Sequence, residues 1–265
     1  MPFAFHTDPD RKIDQQYQNT SDSLIPFISS AKTVTGAQVL EIGCGEGGNL
    51  KAFSEAGSSL CYGIDLSENK IATAHKILSE EIDQGKARLI LEDIHQLSDE
   101  AKLLNRFDII VLKDVIEHVP EKQKMLLKLK QFLRPGGVVF LAFPPWYNPY
   151  GGHQQMSRSF MGKLPYFHLL PRRLSGKYLQ IFGESKARIQ SFMEIIDTRL
   201  TIHHFENICR DTGFEIIKRE LYLINPIYKY KFGLTPRRQL PVLRDIPVLR
   251  DFISTSVYYL IRPGK

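Results

Sequence analysis

Short apolar runs alternate with amphipathic stretches through the first 145 residues. Runs at 39–42, 59–64, 87–91, 107–112 and 138–143 are rich in Val, Ile, Leu and Phe and have the length of buried strands. Between them the apolar period changes to that of a helix. Ile71, Ala74, Ile77 and Leu78 stripe a helix running from an N-cap candidate, Ser67, to about Asp83. Met125, Leu126, Leu129 and Phe132 stripe another over 121–132, and a short one over 50–55 stops at Gly57. Residues 1–35 read as a polar lead-in followed by a helix over 22–32. Strands alternating with helices at such close intervals predict an α/β fold with a doubly wound parallel sheet. Beyond residue 145 the pattern thins to a helix over 201–212 and strands over 214–224 and 257–262. The connections at 146–200 and 225–254 are long for a compact domain and are read as cap insertions over the cleft within one domain, 1–265.

The densest chemistry lies where the first run ends. Glu41-Ile42-Gly43-Cys44-Gly45-Glu46-Gly47-Gly48 leads straight into a helix, so free N–H groups and a backbone without Cβ atoms face whatever binds there. The second run ends at Asp65, 20 residues past Gly45, where a carboxylate accepts hydrogen bonds from ribose hydroxyls. Gly43-x-Gly45-x-x-Gly48 satisfies a dinucleotide fingerprint. Glu41-x-Gly43-x-Gly45-x-Gly47 is equally similar to the glycine signature of class I S-adenosylmethionine (SAM) methyltransferases, and the glycines alone do not choose.

Composition narrows the setting. Three cysteines, Cys44, Cys61 and Cys209, form no C-x-x-C pair and no disulfide framework, which points to a reducing compartment. The N-terminus lacks a signal-peptide pattern and no apolar run approaches bilayer-spanning length, so a soluble cytoplasmic protein is expected. The net charge of +6 is uneven. Residues 1–149 hold 16 Lys and Arg against 20 Asp and Glu, a net of −4; residues 150–265 hold 19 against 9, a net of +10. That basic second half suits an anionic substrate, a phospholipid surface or RNA, or is a solvated face.

Five stretches in order, EIGCGEG, YGIDLS, LEDIHQL, FDIIVLKDVIEHV and LRPGGVVFLAFP, cover roughly residues 35–145 and resemble the class I SAM-dependent methyltransferases of the ubiquinone and menaquinone group. LKDVIEHVP followed by LRPGG discriminates best, because a nicotinamide-binding sheet has no reason to carry both. The resemblance implies a Rossmann-like seven-stranded sheet whose strand 7 is antiparallel, with the cap insertions after strands 5 and 6. It also implies SAM as cofactor, with S-adenosylhomocysteine (SAH) as product. By the same resemblance the backbone of Glu41, Gly43 and Gly45 lines the methionine moiety. Asp65 holds the ribose, Leu66 packs on the adenine, Asp93 accepts the adenine amino group, Ile94 offers a backbone N–H, and Lys113 meets the methionine end through its main chain.

A hydroxyl or amine acceptor with a high pKa needs a proton acceptor, commonly histidine. His153, in the loop after strand 5, and His118, after strand 4, are the catalytic candidates. Trp146, Tyr147, Tyr150 and Gln154 on the strand-5 rim, and His204 at the start of the next helix, are candidates for contacting the acceptor. No metal is expected: the cysteines are scattered, and adjacent His203-His204 lacks ligand spacing on a helix face. Phe143-Pro144-Pro145-Trp146 looks like the motif of amino-methylating nucleic-acid enzymes, but it follows the wrong strand and begins with phenylalanine. The favoured reading is methyl transfer to a small or lipid-like, amphipathic acceptor at oxygen. The alternatives are an RNA methyltransferase using the basic half, against which no RNA-binding module is visible, and a non-catalytic SAM-binding protein. The stretch at 164–182, with leucines beside Arg172, Arg173 and Lys177, either packs on the sheet's edge or touches lipid headgroups in a peripheral membrane contact; packing is expected.

Overall fold

The computed structural model describes residues 9–154, 157 and 159–264. Helix α1 (Pro9–Asn19) continues through a π-helical turn (Thr20–Leu24) into α2 (Ile25–Ser29), so the polar lead-in is largely helical from residue 9 onward. Then come β1 (Gln38–Ile42), α3 (Gly48–Glu55), β2 (Leu60–Asp65), α4 (Glu68–Ile77), α5 (Ser79–Asp83), β3 (Ala87–Leu91) and β4 (Phe107–Lys113). They are followed by α6 (Lys122–Phe132), β5 (Leu133–Phe143), α7 (Arg172–Ile181), α8 (Lys186–Thr198), α9 (Ile202–Asp211) and β6 (Phe214–Ile224). The chain ends in α10 (Tyr228–Phe232), β7 (Arg237–Arg238), α11 (Pro241–Arg244), α12 (Leu249–Ile253) and β8 (Ser256–Pro263).

The sheet has eight strands in the order β3-β2-β1-β4-β5-β8-β6-β7. The first five are parallel, and β8 runs antiparallel between β5 and β6. The expected antiparallel strand is therefore β8. The extra strand is the two-residue β7, which pairs Arg237 and Arg238 with the outer edge of β6. Alternation along β4 shows why both faces are covered. Ile110 and Leu112 enter a core with α6 and α9, while Ile109 and Val111 enter another with α2 and α3. The helix expected to run from Ser67 to Asp83 is broken at Leu78, whose φ of −105° and ψ of 19° leave the helical region. Ser67 makes no side-chain cap; its N–H donates to Asp65 instead.

The described parts of the two long connections are tied together. The first builds its own small core from Trp146, Phe167, Leu179, Phe192, Ile195 and Ile196, in which α7 packs on α8, and α8 also packs on the turn at Ile116–His118. Asn148 Nδ2 donates to the Ser254 carbonyl at 2.7 Å, and the Tyr147 ring stacks on Phe252 at 5.1 Å, which join the first insert to the second. Among the described residues no helix is long and apolar enough to cross a membrane.

Candidate functional site

The glycine loop is stitched to the end of β2. Gly43 and Cys44 N–H both donate to the Ile64 carbonyl, at 2.7 and 3.1 Å, so the chain leaving β1 turns over the neighbouring strand. Gly43 has a φ of 71°, and a Cβ there would lie 2.5 Å from Val115 Cγ2, so only glycine lets the loop approach the segment after β4 this closely. Gly45, at φ 56°, opens on free space. Asp65 is buried; its Oδ2 accepts from Gly45 N at 2.8 Å and its Oδ1 from Ser67 N at 2.9 Å. Each oxygen keeps a second lone pair for a ligand.

Two cavities meet at this point and share Gly43, Asp65, Lys70, Asp114 and Val115. One, of about 370 Å³, is walled by Ile42, Ile64, Leu66, Asp93, Ile94 and Met125 among others. Leu66, 72% exposed, is a wall rather than core. Asp93 also closes a turn, accepting from His95 N at 2.8 Å. The other, of about 300 Å³, is lined by Gly45, Asn49 and Lys113, by Lys12, Gln15 and Gln16 from α1, and by Ile227 and Lys231 at the second insert. The N-terminal helix reaches the loop because Gly48 leaves room for the Ile13 carbonyl, which a Cβ would meet at 2.8 Å. Lys12 Nζ then pairs with Glu46 Oε1 at 2.7 Å. An apolar slot joined to a charged one fits a nucleoside carrying an amino-acid tail.

Charge in the second cavity is dense. Lys113, whose side chain is 11% exposed, pairs with Asp114 at 2.8 Å. Burial works against its charge, but Asp114, Glu41 and Glu117 outweigh that and hold its pKa above the usual range. Asp114 itself has a φ of 56°, a conformation tolerated by Asp but uncommon. Glu41 is pushed up to about 8 by burial, partly offset by Asn49, whose Nδ2 donates to Oε1 at 2.6 Å. The Lys231 ammonium makes no hydrogen bond or ion pair among the described residues, and burial followed by the Lys113 charge pulls its pKa down.

On the far wall of the first cavity His118 meets His153, ring centroids 4.9 Å apart and edge to face. Burial lowers the pKa of both, that of His153 to about 4, so both rings are neutral at neutral pH. His153 sits at φ 54°, and Arg188 Nη2 from α8 donates to its carbonyl at 2.6 Å. The buried Glu117 lies beside them; burial and the Asp114 charge raise its pKa well above the usual carboxylate range.

The remaining sequence candidates scatter. Trp146 is in the insert's core, and Gln154 is buried against His168 Nδ1 at 2.9 Å and the Pro149 carbonyl at 2.7 Å, so both hold the insert together. Tyr147 is committed to Phe252, whereas Tyr150 remains 41% exposed, with Asp114 and Tyr150 both acting on the half-buried Tyr228. His204 lines a separate cavity of about 400 Å³ with Lys122 and Arg199. Sequence reasoning missed Asp114, Lys70, Lys231 and the α1 residues. β4 extends through Lys113, one residue beyond expectation, which makes Asp114 the first side chain after the strand. Nothing local marks the others.

Fold and site together define a nucleotide-cofactor domain of the doubly wound α/β class, with its pocket outside the carboxyl ends of β1, β2 and β4. Comparison with known proteins makes the class specific. The methyltransferase-domain family model matches residues 13–219, and the chain belongs to that family as a class I SAM-dependent methyltransferase domain. It is 31% identical over 118 residues to the ubiquinone biosynthesis O-methyltransferase of Coxiella burnetii (44% of this chain, 48% of that protein). It is 29% identical over 134 residues to phosphoethanolamine N-methyltransferase 2 of Caenorhabditis elegans (50% of this chain, 29% of that protein). The chain thus spans half or less of these curated relatives. Among solved structures, magnesium protoporphyrin IX methyltransferase from Synechocystis PCC 6803 with bound SAH superposes with a TM-score of 0.56 at 17% identity, covering 95% of this chain and 85% of that one.

Proposed function

We propose that the chain transfers a methyl group from SAM to a hydroxyl oxygen of a small or amphipathic acceptor held beneath the two inserts. SAM supplies a methyl group already activated by its sulfonium. The protein's task is to bind, align and exclude water. Asp65 and the open backbone at Gly45 are expected to hold the ribose and methionine segments, with Leu66, Asp93 and Ile94 around the adenine and Glu41, Gly43 and Lys113 at the methionine end. His118 and His153 offer neutral imidazole nitrogens to take the hydroxyl proton. The inserts serve as the cap: the second brings Ile227 and Lys231 to the cofactor cavity, and the first brings His153 to His118.

The observation that carries the oxygen reading is that histidine pair, two neutral rings brought together beside the glycine–Asp65 pocket. The amphipathic character of the acceptor is supported by exposed apolar side chains on the same basic inserts, Phe160 at 79%, Ile181 at 78% and Val242 at 79%. A peripheral contact with anionic lipid belongs to this reading. RNA methylation and a non-catalytic role find no support among the relatives named above.

The test pairs binding with turnover. SAH should bind the wild-type chain saturably in a calorimetric titration, and Asp65→Asn should weaken it by about 10-fold or more while the circular dichroism spectrum stays unchanged. Mass spectrometry of SAM incubations with phenols, alcohols and amines should then show a gain of one methyl on the hydroxyl compounds. Methylation confined to amines would overturn the oxygen assignment.

A further inference from the structure

Apart from the cofactor site, α2, β6 and the second insert enclose a larger cavity of about 760 Å³. Lys218, Glu220 and Tyr222 alternate along β6 and so face it together, and Phe27 from α2 and Tyr230 from α10 also line it. Its two carboxylates are already claimed. Asp22 pairs with Lys229 at 3.0 Å, and Glu220 accepts from Arg238 at 2.9 Å and from the Tyr222 hydroxyl at 2.8 Å. Lys218 is the cation left over: it is half-buried and makes no ion pair among the described residues. Its Nζ donates to Ser30 Oγ at 2.9 Å and, more weakly, to the Phe27 carbonyl at 3.5 Å, and stands 4.2 Å from the Phe27 ring centre. An ammonium has three donors, so one N–H remains for an anion. Three cations against two carboxylates also leave the cavity one positive charge in excess.

We propose that this cavity binds an amphipathic aromatic anion, its charge on Lys218 and its rings beside Phe27 and Tyr230, and that occupancy tightens cofactor binding through α10. The walls suit a flat apolar body, because ring faces and the prolines Pro26, Pro226 and Pro236 supply them. Inorganic phosphate would satisfy Lys218 but has nothing to place on the rings. α10 stands between two cavities. Lys229 and Tyr230 line this one, whereas Lys231 and Ile227, just before the helix, line the charged cofactor cavity. A helix of five residues has too few internal hydrogen bonds to fix its own position, which depends on contacts such as those of Lys229 and Tyr230 with Asp22. A ring lodged between Phe27 and Tyr230 adds to those contacts and holds Lys231 over the cofactor's amino-acid tail. Such coupling is reciprocal, so the cofactor tightens the anion by the same factor. The coupling rests on Lys231 meeting the cofactor's carboxylate; binding of the anion does not.

The probe is 2-naphthoate, titrated calorimetrically into the full chain with and without saturating SAH. One saturable site per chain is expected. Lys218→Met, or exchange of naphthoate for the neutral 2-naphthamide, should each weaken binding by about 10-fold or more. The variant should bind SAH alone with wild-type affinity, which will show that it is folded. Octanoate, equally charged but without a ring, should bind about 3-fold or more weakly than naphthoate. Saturating naphthoate should tighten SAH by about 5-fold or more and leave 5′-methylthioadenosine unaffected. The proposal is overturned if naphthoate shows no saturable binding, if Lys218→Met and the amide bind as well as the original pair, or if naphthoate competes with SAH. Octanoate matching naphthoate would overturn the aromatic assignment, and an SAH affinity that does not move would overturn the coupling. Naphthoate binding without any SAH binding would remove the methyl-transfer reading and the coupling with it, and leave the anion site standing.

Discussion

Glu41 shows how one residue can be placed by its backbone and taxed by its side chain. It sits on β1 between two parallel neighbours, where burial favours the protonated carboxyl and the Asn49 hydrogen bond and Lys113 charge offset it only in part; Oε2 has no hydrogen-bond partner among the described residues. Its pKa rises from 4.5 to about 8 on folding, so between those values the native state holds a proton that the unfolded chain releases. Stability from this group is therefore greatest below pH 4.5 and is lost as pH climbs through 8. Glu41→Gln removes the titration. Denaturant melts should show the variant gaining a few kcal/mol relative to wild type between pH 5 and pH 9; parallel pH profiles would mean the carboxyl stays charged throughout. Asp114 carries a different residue-scale lesson, because a one-residue extension of β4 moves the first post-strand position from Lys113 to a neighbour the sequence did not single out.

At the scale of elements, α1 and α10 complete the cofactor cavity although neither belongs to the sheet. They touch each other, Gln15 Nε2 donating to the Tyr230 carbonyl at 3.3 Å, and the π-helical turn after α1 adds Asp22, which pairs with Lys229 at 3.0 Å. Through this pairing Lys231 is carried to the charged cavity without a carboxylate partner of its own. It is expected to meet the carboxylate of the cofactor's amino-acid tail. Lys231→Met should then weaken SAH by about 10- to 100-fold while leaving 5′-methylthioadenosine, which lacks that carboxylate, unaffected. Equal losses for both ligands would assign Lys231 to the shape of the pocket instead. The repeated pentapeptide PVLRD shows how much context decides at this scale. In the copy at 241–245 the Arg244 and Asp245 side chains are 55% and 60% exposed, whereas in the copy at 247–251 Arg250 binds Glu206 at 2.6 Å and Asp251 accepts from Ile202 N at 2.9 Å. Identical residues have opposite fates because only the second copy packs against α9.

Across the whole molecule, the sheet is buried on both faces and the cofactor cavity draws on α1, the strand ends and the second insert together. Occupying such a site ties distant segments to one another, and a ligand that binds only the native state stabilises all of them. SAH at 100 times its Kd should add about 2.7 kcal/mol and raise Tm by roughly 5–10 °C in differential scanning calorimetry. A shift produced by a nicotinamide dinucleotide and not by SAH would remove the cofactor assignment and, with it, the proposed reaction. The positive second half is likewise a property of the whole: its charge is spread over two inserts that Asn148 and Tyr147 join to Ser254 and Phe252.

The succession of strands β1 to β5 along the chain, the glycine turn after β1 and the methyltransferase character were legible from the sequence alone. The physical reason is that periodicity, turn glycines and strand-end acids act over a few residues, where spacing along the chain equals spacing in space. Only the tertiary structure could bring His153 to His118 and Glu117, send Trp146 and Gln154 into the insert's interior, set His204 on another cavity, and lay α1 over the loop. Those placements depend on contacts between residues from 14 to 215 positions apart, such as Gln154 with His168, Asn148 with Ser254 or Gln15 with Tyr230, and no local pattern encodes which partner a side chain meets.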